Sequence, residues 1–462
     1  MGELHIQNQV QTLRKSFQRG ILKTQKQRIA LLSSMQKWIV EHEKEIAEAL
    51  DKDLGKPFME SYLAEIQFIL SEIHLVKKKL SSWMKAKKVS TNLLNLPGKS
   101  EIISEPYGVV LIFSAWNYPF QLMMAPWIAA VAAGNVTVLK PSELSPHTAQ
   151  LIEKMVKDIG GEAALVIQGG ADRAQQILEE RFDYIFYTGS TLVGQKVMEA
   201  AAKYITPLTL ELGGKSPCIV DRDVDIEESA RRLVSGKFFN AGQSCVAPDY
   251  ILVPREDLST WTQVLEETIQ QFYGTDPSNS PDYTRIISDR HMTRLQKLSE
   301  HPQAMQIGHP QVQQRKMAPV IVPNISWDEP LMKEEIFGPI LPIIAYDSME
   351  EVFDKIESRE KPLALYVFSK KKSFADQVIA RLSSGSVCVN HVILQITNPN
   401  LPFGGVGHSG MGRYHGYFGF ETFSHQKSVM RKPHSFNPIT AYPPYEKKEF
   451  LPKLLKKFQA FF

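Results

Sequence analysis

Cysteine is scarce in this chain: Cys218, Cys245 and Cys388 are the only three among 462 residues. An odd, widely spaced set fits neither a disulfide framework nor a zinc-ligand pattern, so it points to a reducing compartment and to no metal site. An excess of one charge is missing as well. The 53 basic and 50 acidic side chains nearly cancel, which leaves no strong field to recruit nucleic acid and makes small molecules the expected partners. No stretch of 18 apolar residues occurs, and the start Met1-Gly2-Glu3-Leu4-His5-Ile6 has no basic segment leading into an apolar one. A cytoplasmic protein is the expectation. Neither G-x-S-x-G nor H-E-x-x-H is present, which removes two hydrolase readings. Internal repeats and low-complexity tracts are also lacking.

What is present is an ordinary globular composition, 43% apolar and 22% charged, at a length that suits two or three domains. Apolar residues at near-helical spacing from Arg28 to Leu50 and from Tyr62 to Val76 predict a helical opening region. Beyond Pro106 the texture changes. Short apolar runs at Val109–Phe113, Val136–Leu139, Leu165–Ile167, Tyr184–Phe186 and Leu208–Leu210 alternate with helix-like segments. Such alternation predicts a parallel sheet covered on both faces. A second α/β series follows at Pro217–Val220, a helix over Ile226–Phe239, then Tyr250–Val253, Ile340–Ile344 and Val387–Val389. Between them, Thr275–Asn324 is polar and broken by Pro and Gly, and is expected to form loops and short helices.

Two local patterns carry chemistry. Glu211-Leu212-Gly213-Gly214-Lys215 places an acid at a strand end, and Asn240-Ala241-Gly242-Gln243-Ser244-Cys245 places a thiol in a polar, glycine-containing turn. A cysteine taken at random is a small buried hydrophobe, and Cys218 and Cys388, inside apolar runs, fit that description. The neighbours of Cys245 do not. A thiol that accepts an acyl group, beside a carboxylate that readies water to remove it, makes two-step covalent catalysis available. Negative charge on the adduct oxygen needs fixed donors, for which Asn117 in Ala115-Trp116-Asn117-Tyr118-Pro119 and the backbone N–H of Cys245 are candidates. Taken alone, Asn117 reads as a turn residue and Glu211 as a surface acid at a domain crossover.

Nucleotide-site candidates lie in the first series. Lys140 and Glu143 follow a strand, where they could hold ribose hydroxyls, and Glu143 would repel a 2'-phosphate. Gly189, Ser190 and Gly194 open a helix whose N–H groups could meet a phosphate. Gly405-Val406-Gly407-His408-Ser409-Gly410 satisfies G-x-G-x-x-G, yet it follows prolines rather than a strand and lacks an acid about 20 residues on, so it reads as a tight loop.

Taken together and in this order, these motifs resemble the NAD(P)-dependent aldehyde dehydrogenase superfamily. The interval between Glu211 and Cys245, the run Leu401–Gly407 followed by Ser409-Gly410-Met411-Gly412, and Phe423-Ser424-His425-Gln426 resemble its class 3 and fatty aldehyde branch. The resemblance implies two Rossmann-like doubly wound parallel-sheet domains, for cofactor and catalysis, plus a small bridging element. It implies a division into 1–83 with 102–212 for the cofactor, 213–395 for catalysis, 84–101 with 396–432 for bridging and oligomerisation, and a tail over 433–462. Residue by residue, it implies Cys245 as nucleophile, Asn117 as oxyanion donor and Glu211 as general base. Glu335 in Glu335-Ile336-Phe337-Gly338-Pro339 would position the nicotinamide ribose and could share the base role, Lys140, Glu143 and Ser190 would contact the nucleotide, and Tyr118 and Phe403 would wall the pocket. The cofactor expected is NAD, with NADP as a second option, and the assembly a homodimer. Medium or long aliphatic, or aromatic, aldehydes are the expected substrates. An acylating enzyme that uses coenzyme A and a thiol-dependent esterase are the alternatives. In the tail, Leu451, Leu454, Leu455 and Phe458 share one helical face among lysines, which suits docking on the protein itself or, less well, peripheral contact with a membrane.

Overall fold

The computed structural model describes residues 2–434, 442–446, 448 and 456. Leu451, Leu454, Leu455 and Phe458 of the expected tail helix lie outside the described residues. In chain order the strands are β1 (Lys87–Val89), β2 (Lys99–Pro106), β3 (Val109–Phe113), β4 (Val136–Lys140), β5 (Ala164–Val166), β6 (Tyr184–Thr188), β7 (Leu208–Glu211), β8 (Pro217–Val220) and β9 (Tyr250–Pro254). They continue with β10 (Met305–Gln306), β11 (Val320–Val322), β12 (Ile340–Tyr346), β13 (Ala364–Phe368), β14 (Ser386–Val389), β15 (Gly410–Met411) and β16 (Ser424–Arg431).

Three sheets result, in the orders β15-β7-β6-β3-β4-β5, β10-β11-β12-β9-β8-β13-β14 and β1-β2-β16. Within the two large sheets every pairing is parallel except β15 with β7 and β10 with β11. The protein is thus built from two Rossmann-like α/β halves, as expected. In the first sheet the chain starts at the centre with β3, builds outward through β4 and β5, then returns to the other side with β6 and β7. That reversal, between β3 and β6, opens a crevice at the carboxyl ends of the strands, where ligands of such sheets bind. It places the segments after β3, β4, β6 and β7 side by side.

The continuous apolar strands are explained by cover on both faces. Val110, Ile112 and Leu139 join the larger core, while Val109, Leu111, Phe113, Val136 and Val138 pack with Ile6, Val10 and Leu13 of the first helix. The helix Gln121–Ala133 is buried along its whole length, Trp127 included. Arg28 reaches its end, donating to the carbonyls of Ala132 and Leu22 at 2.8 Å each.

Four expectations change. The helical run Arg28–Leu50 is two helices, Gln25–Glu41 and Glu43–Leu54, parted at His42, whose ring stacks on Trp38 at 4.0 Å. Tyr62–Val76 lies within a longer helical stretch, Phe58–Trp83, that contains a π-turn at Tyr62–Gln67. The polar segment Thr275–Asn324 contributes two strands, β10 and β11, with β11 inside the second sheet. The run Ala364–Phe368, not foreseen as a strand, is β13, next to β8 at the reversal of that sheet. The third sheet is antiparallel, pairing β16 with β2 from Ser424 opposite Pro106 to Arg431 opposite Lys99.

Candidate active site

The helix Ile226–Phe238 ends abruptly, and the chain then takes three left-handed residues in succession: Asn240 (φ 54), Ala241 (φ 50) and Gly242 (φ 72). For an alanine this costs about 1–2 kcal/mol, and only glycine fits at 242, where a Cβ would stand 2.4 Å from the Gly338 carbonyl oxygen. Such a turn persists only if its surroundings fix it. They do so with buried hydrogen bonds. The Asn240 side chain donates to the carbonyls of Asn117 (2.9 Å) and Gln243 (3.0 Å), and Asn117 Nδ2 donates to the Gln243 carbonyl (3.1 Å). Gln243 donates in turn to Arg285 O at 2.9 Å and accepts from Ile287 N at 3.0 Å. The turn delivers Cys245 to the floor of a cleft of about 2250 Å³ that runs between the two halves.

Sequence reasoning missed the second layer. Lys56 donates to Asn117 O at 3.1 Å, forms a buried ion pair with Glu65 and lies over the Tyr118 ring at 4.3 Å. Glu65 then accepts from the N–H groups of Phe120 (2.9 Å) and Gln121 (3.2 Å), starting the buried helix. Glu60 accepts from Asn240 N at 3.0 Å. Glu60 and Glu65 sit in the opening helices and Lys56 in the loop between two of them, without any motif to mark them.

Two carboxyls share the cleft with the thiol. Glu211, at the end of β7, is 3% exposed and neither of its oxygens has a partner, so burial holds its carboxyl well above the usual range. Glu335 is pushed up to about 8 by burial and by Asp249, against the pull of the Gly214 N–H, Lys215 and Arg294. Its placement requires Gly213, since a Cβ there would fall 1.9 Å from Glu335 Oε2. The loop behind it is pinned: Asp249 pairs with Lys215 and accepts from Ile336 N at 2.9 Å, and Lys215 donates to Leu331 O (2.7 Å) and Glu334 O (3.0 Å). Burial first, then Glu335 and Glu211, raise the Cys245 thiol, so it rests protonated. Cys218 is fully buried in β8, consistent with packing alone.

The cleft continues across the reversal between β3 and β6. Lys140, buried at the end of β4, donates to Pro141 O at 2.8 Å and pairs with exposed Glu143 at 3.4 Å. Gly189 and Ser190 lead into the helix Thr191–Ala202, with Gly194 buried on its inner side and no side chain capping its N-terminus. The hydroxyls of Ser114 and Thr188, which line the same cleft, are buried without partners. Open helix N–H groups, a buried ammonium and orphan hydroxyls suit the phosphates and ribose of a dinucleotide. Tyr118 and Phe403 both line the cleft, and Phe403 stacks on His415 with ring centroids 5.2 Å apart. The loop Gly405–Gly410 forms no strand-to-helix turn. It leads into β15, where Gly410 pairs with Glu211 and holds the strand carrying that acid.

Residues 2–429 match the model of the aldehyde dehydrogenase family. The chain belongs to that family. It is 45% identical over 428 residues to the dimeric NADP-preferring aldehyde dehydrogenase of Rattus norvegicus, an alignment covering 92% of this chain and 94% of the relative. It is 42% identical to aldehyde dehydrogenase family 3 member A2 of the same organism, over 98% of this chain and 95% of that one. The substrate-bound Staphylococcus aureus AldH structure superposes with a TM-score of 0.95 at 41% identity, covering 98% of this chain and 99% of the other. The class 3 branch is therefore its place within the family, and aldehyde dehydrogenase its enzyme type.

Proposed function

We propose that this aldehyde dehydrogenase converts aldehydes to carboxylic acids, with Cys245 as the attacking group, Asn117 and the Cys245 N–H as oxyanion donors and Glu211 as the base for hydrolysis. The observation that carries this reading is the convergence of a thiol, a hydrogen-bonded amide and two carboxyls of raised pKa on one cleft floor, beside a dinucleotide-shaped half. A dinucleotide bound across the β3–β6 reversal supplies the acceptor for the electron pair removed from the aldehyde carbon.

The protein's own part runs as follows. Cys245 yields its proton to Glu211 in its carboxylate form, which passes it to solvent before hydrolysis; the sulfur adds to the carbonyl carbon, and the second hydrogen of the Asn117 amide, not engaged by Gln243, meets the developing oxyanion. After oxidation the acyl group is held as a thioester on Cys245. Glu211 takes a proton from water, the hydroxide adds to the thioester carbon, the acid is released as the sulfur leaves, and Glu211 returns the proton to the sulfur to restore the thiol. An unpartnered carboxyl suits this role because no hydrogen bond must break before it accepts a proton. Glu335, held by the Gly214 N–H and the Lys215–Asp249 pair, is better placed to fix the nicotinamide ribose.

Phe403, Tyr118, Phe68 and Ile396 on the cleft wall favour medium or long aliphatic, or aromatic, aldehydes. Glu143 beside Lys140 supports NAD, whereas the rat relative is named NADP-preferring, so both dinucleotides belong in the assay. That relative is also named dimeric, which supports a homodimer. The test is reduced-dinucleotide formation from aldehydes of increasing chain length with each dinucleotide, for the wild type and Cys245→Ala. Oxidation and ester cleavage should both disappear in the variant while the dinucleotide still binds. Oxidation retained by Cys245→Ala would remove the sulfur from the reaction. An acyl-coenzyme A product, or ester cleavage without dinucleotide-dependent oxidation, would favour the acylating or esterase alternative.

A further inference from the structure

We infer that Glu60 is a positioning residue for the Cys245 sulfur: from a short helix in the opening region it fixes the left-handed turn Asn240–Gly242 that presents the thiol. Its Oε2 accepts the Asn240 N–H at 3.0 Å and the Thr284 hydroxyl at 3.1 Å, both buried, so one carboxylate oxygen ties together two segments 44 positions apart. The Asn240 N–H follows the end of the helix Ile226–Phe238, and Glu60 is its hydrogen-bond acceptor. Without Glu60 it would be a buried, unpaired donor at the first residue of the strained turn. The side-chain bonds from Asn240 to Asn117 O and Gln243 O then pass that anchoring on to both sides of the site.

The surroundings of Glu60 support an adjustable hold. Lys56 faces it from its own segment, Asp282 and Tyr283 from the loop before Ile286, Tyr118 from the loop after β3, and Tyr273 from the end of the helix Leu258–Tyr273. Burial, reinforced by Asp282, outweighs Lys56 and the two hydrogen bonds and pushes its carboxyl up to about 7. Lys56 is itself engaged by Glu65, so Glu60 has no dedicated counter-charge. Below pH 7 the group is neutral and accepts weakly. Above it, the carboxylate accepts as a charged partner and the turn is held more firmly.

This inference rests on Cys245 being the nucleophile only for its effect on turnover. Placement of the sulfur is measurable without turnover, by the rate at which iodoacetamide alkylates Cys245, followed by peptide mass spectrometry to separate it from Cys218 and Cys388. Glu60→Ala is expected to lower that rate and kcat/KM for aldehyde about 10- to 100-fold, as misplacement by an ångström does, with dinucleotide affinity unchanged. Glu60→Gln, which keeps an accepting oxygen, should stay within about 3-fold of wild type at pH 6 and lose part of the rise between pH 6 and 8. Thr284→Val should give a smaller loss and keeps the question open to measurement if Glu60→Ala does not fold. Wild-type alkylation and turnover in folded Glu60→Ala, or in both milder variants with unaltered pH profiles, would overturn the positioning role. Oxidation surviving in Cys245→Ala would instead refute the nucleophile and leave the alkylation result to be judged separately.

Discussion

The two sides of the catalytic cleft are built in opposite ways. On the thiol side, the peptide and side-chain groups of Asn117, Asn240 and Gln243 are knitted together, backed by Lys56, Glu60 and Glu65. On the acid side, Glu211 stands at the end of β7 with both carboxyl oxygens unpartnered. Fixed donors are what a developing oxyanion needs, because their orientation is settled before the reaction begins. A group that must take a proton from water needs the reverse, a raised pKa and freedom to approach it.

Removing the acid tests that contrast most severely. Glu211→Gln should still take up aldehyde and release one equivalent of reduced dinucleotide per site, then turn over about 100- to 10,000-fold more slowly. Normal steady-state turnover would move the base role to Glu335. Asn117→Ala, which leaves the backbone stitch through Asn117 O intact, should lower kcat about 100- to 1,000-fold by deleting one oxyanion donor, read by single-turnover kinetics. Glu335→Gln should act mainly on the pH profile. With its pKa near 8, the wild-type carboxyl is neutral below that value and charged above it, so a rise in rate through pH 8 that depends on the carboxylate should flatten in the variant. The smallest effect belongs to the cofactor half, where Glu143→Gln should raise the rate ratio of NADP to NAD by a few-fold, about 1 kcal/mol, with little change in aldehyde KM.

Much of this candidate site was legible because the groups proposed to react sit in short local patterns. Glu211, Cys245, Asn117 and Glu335 each stand in a run whose glycines and polar neighbours differ from core sequence, and the structure brings all four to one cleft. Lys140, Glu143, Gly189 and Ser190 lie at or just after the end of a strand and line the same cleft, whereas Gly194, within the helix that follows, packs against Leu212 and is not among the lining residues. Lys56, Glu60 and Glu65 were not legible. Charged residues in a helical opening region read as solvated, and only tertiary packing shows that Lys56, in the loop after Leu54, and Glu65 are fully buried side chains.

The fold shows the same division. β3, β4 and β6 are buried throughout and mostly apolar because helices cover both faces, and they announce themselves. β11 is three residues long in a polar stretch, too short for any period to show. β13 is an apolar run that periodicity alone cannot tell from a piece of buried helix. At the break, the His42 ring stacks on Trp38, a contact that helical spacing does not reveal.

The most direct measurement is intact and peptide mass spectrometry of Glu211→Gln quenched during turnover of an aldehyde with NAD. An acyl group on the peptide that contains Cys245, decaying as acid appears, is the predicted result. An acyl group on another residue, or steady turnover with Cys245 never modified, would contradict it.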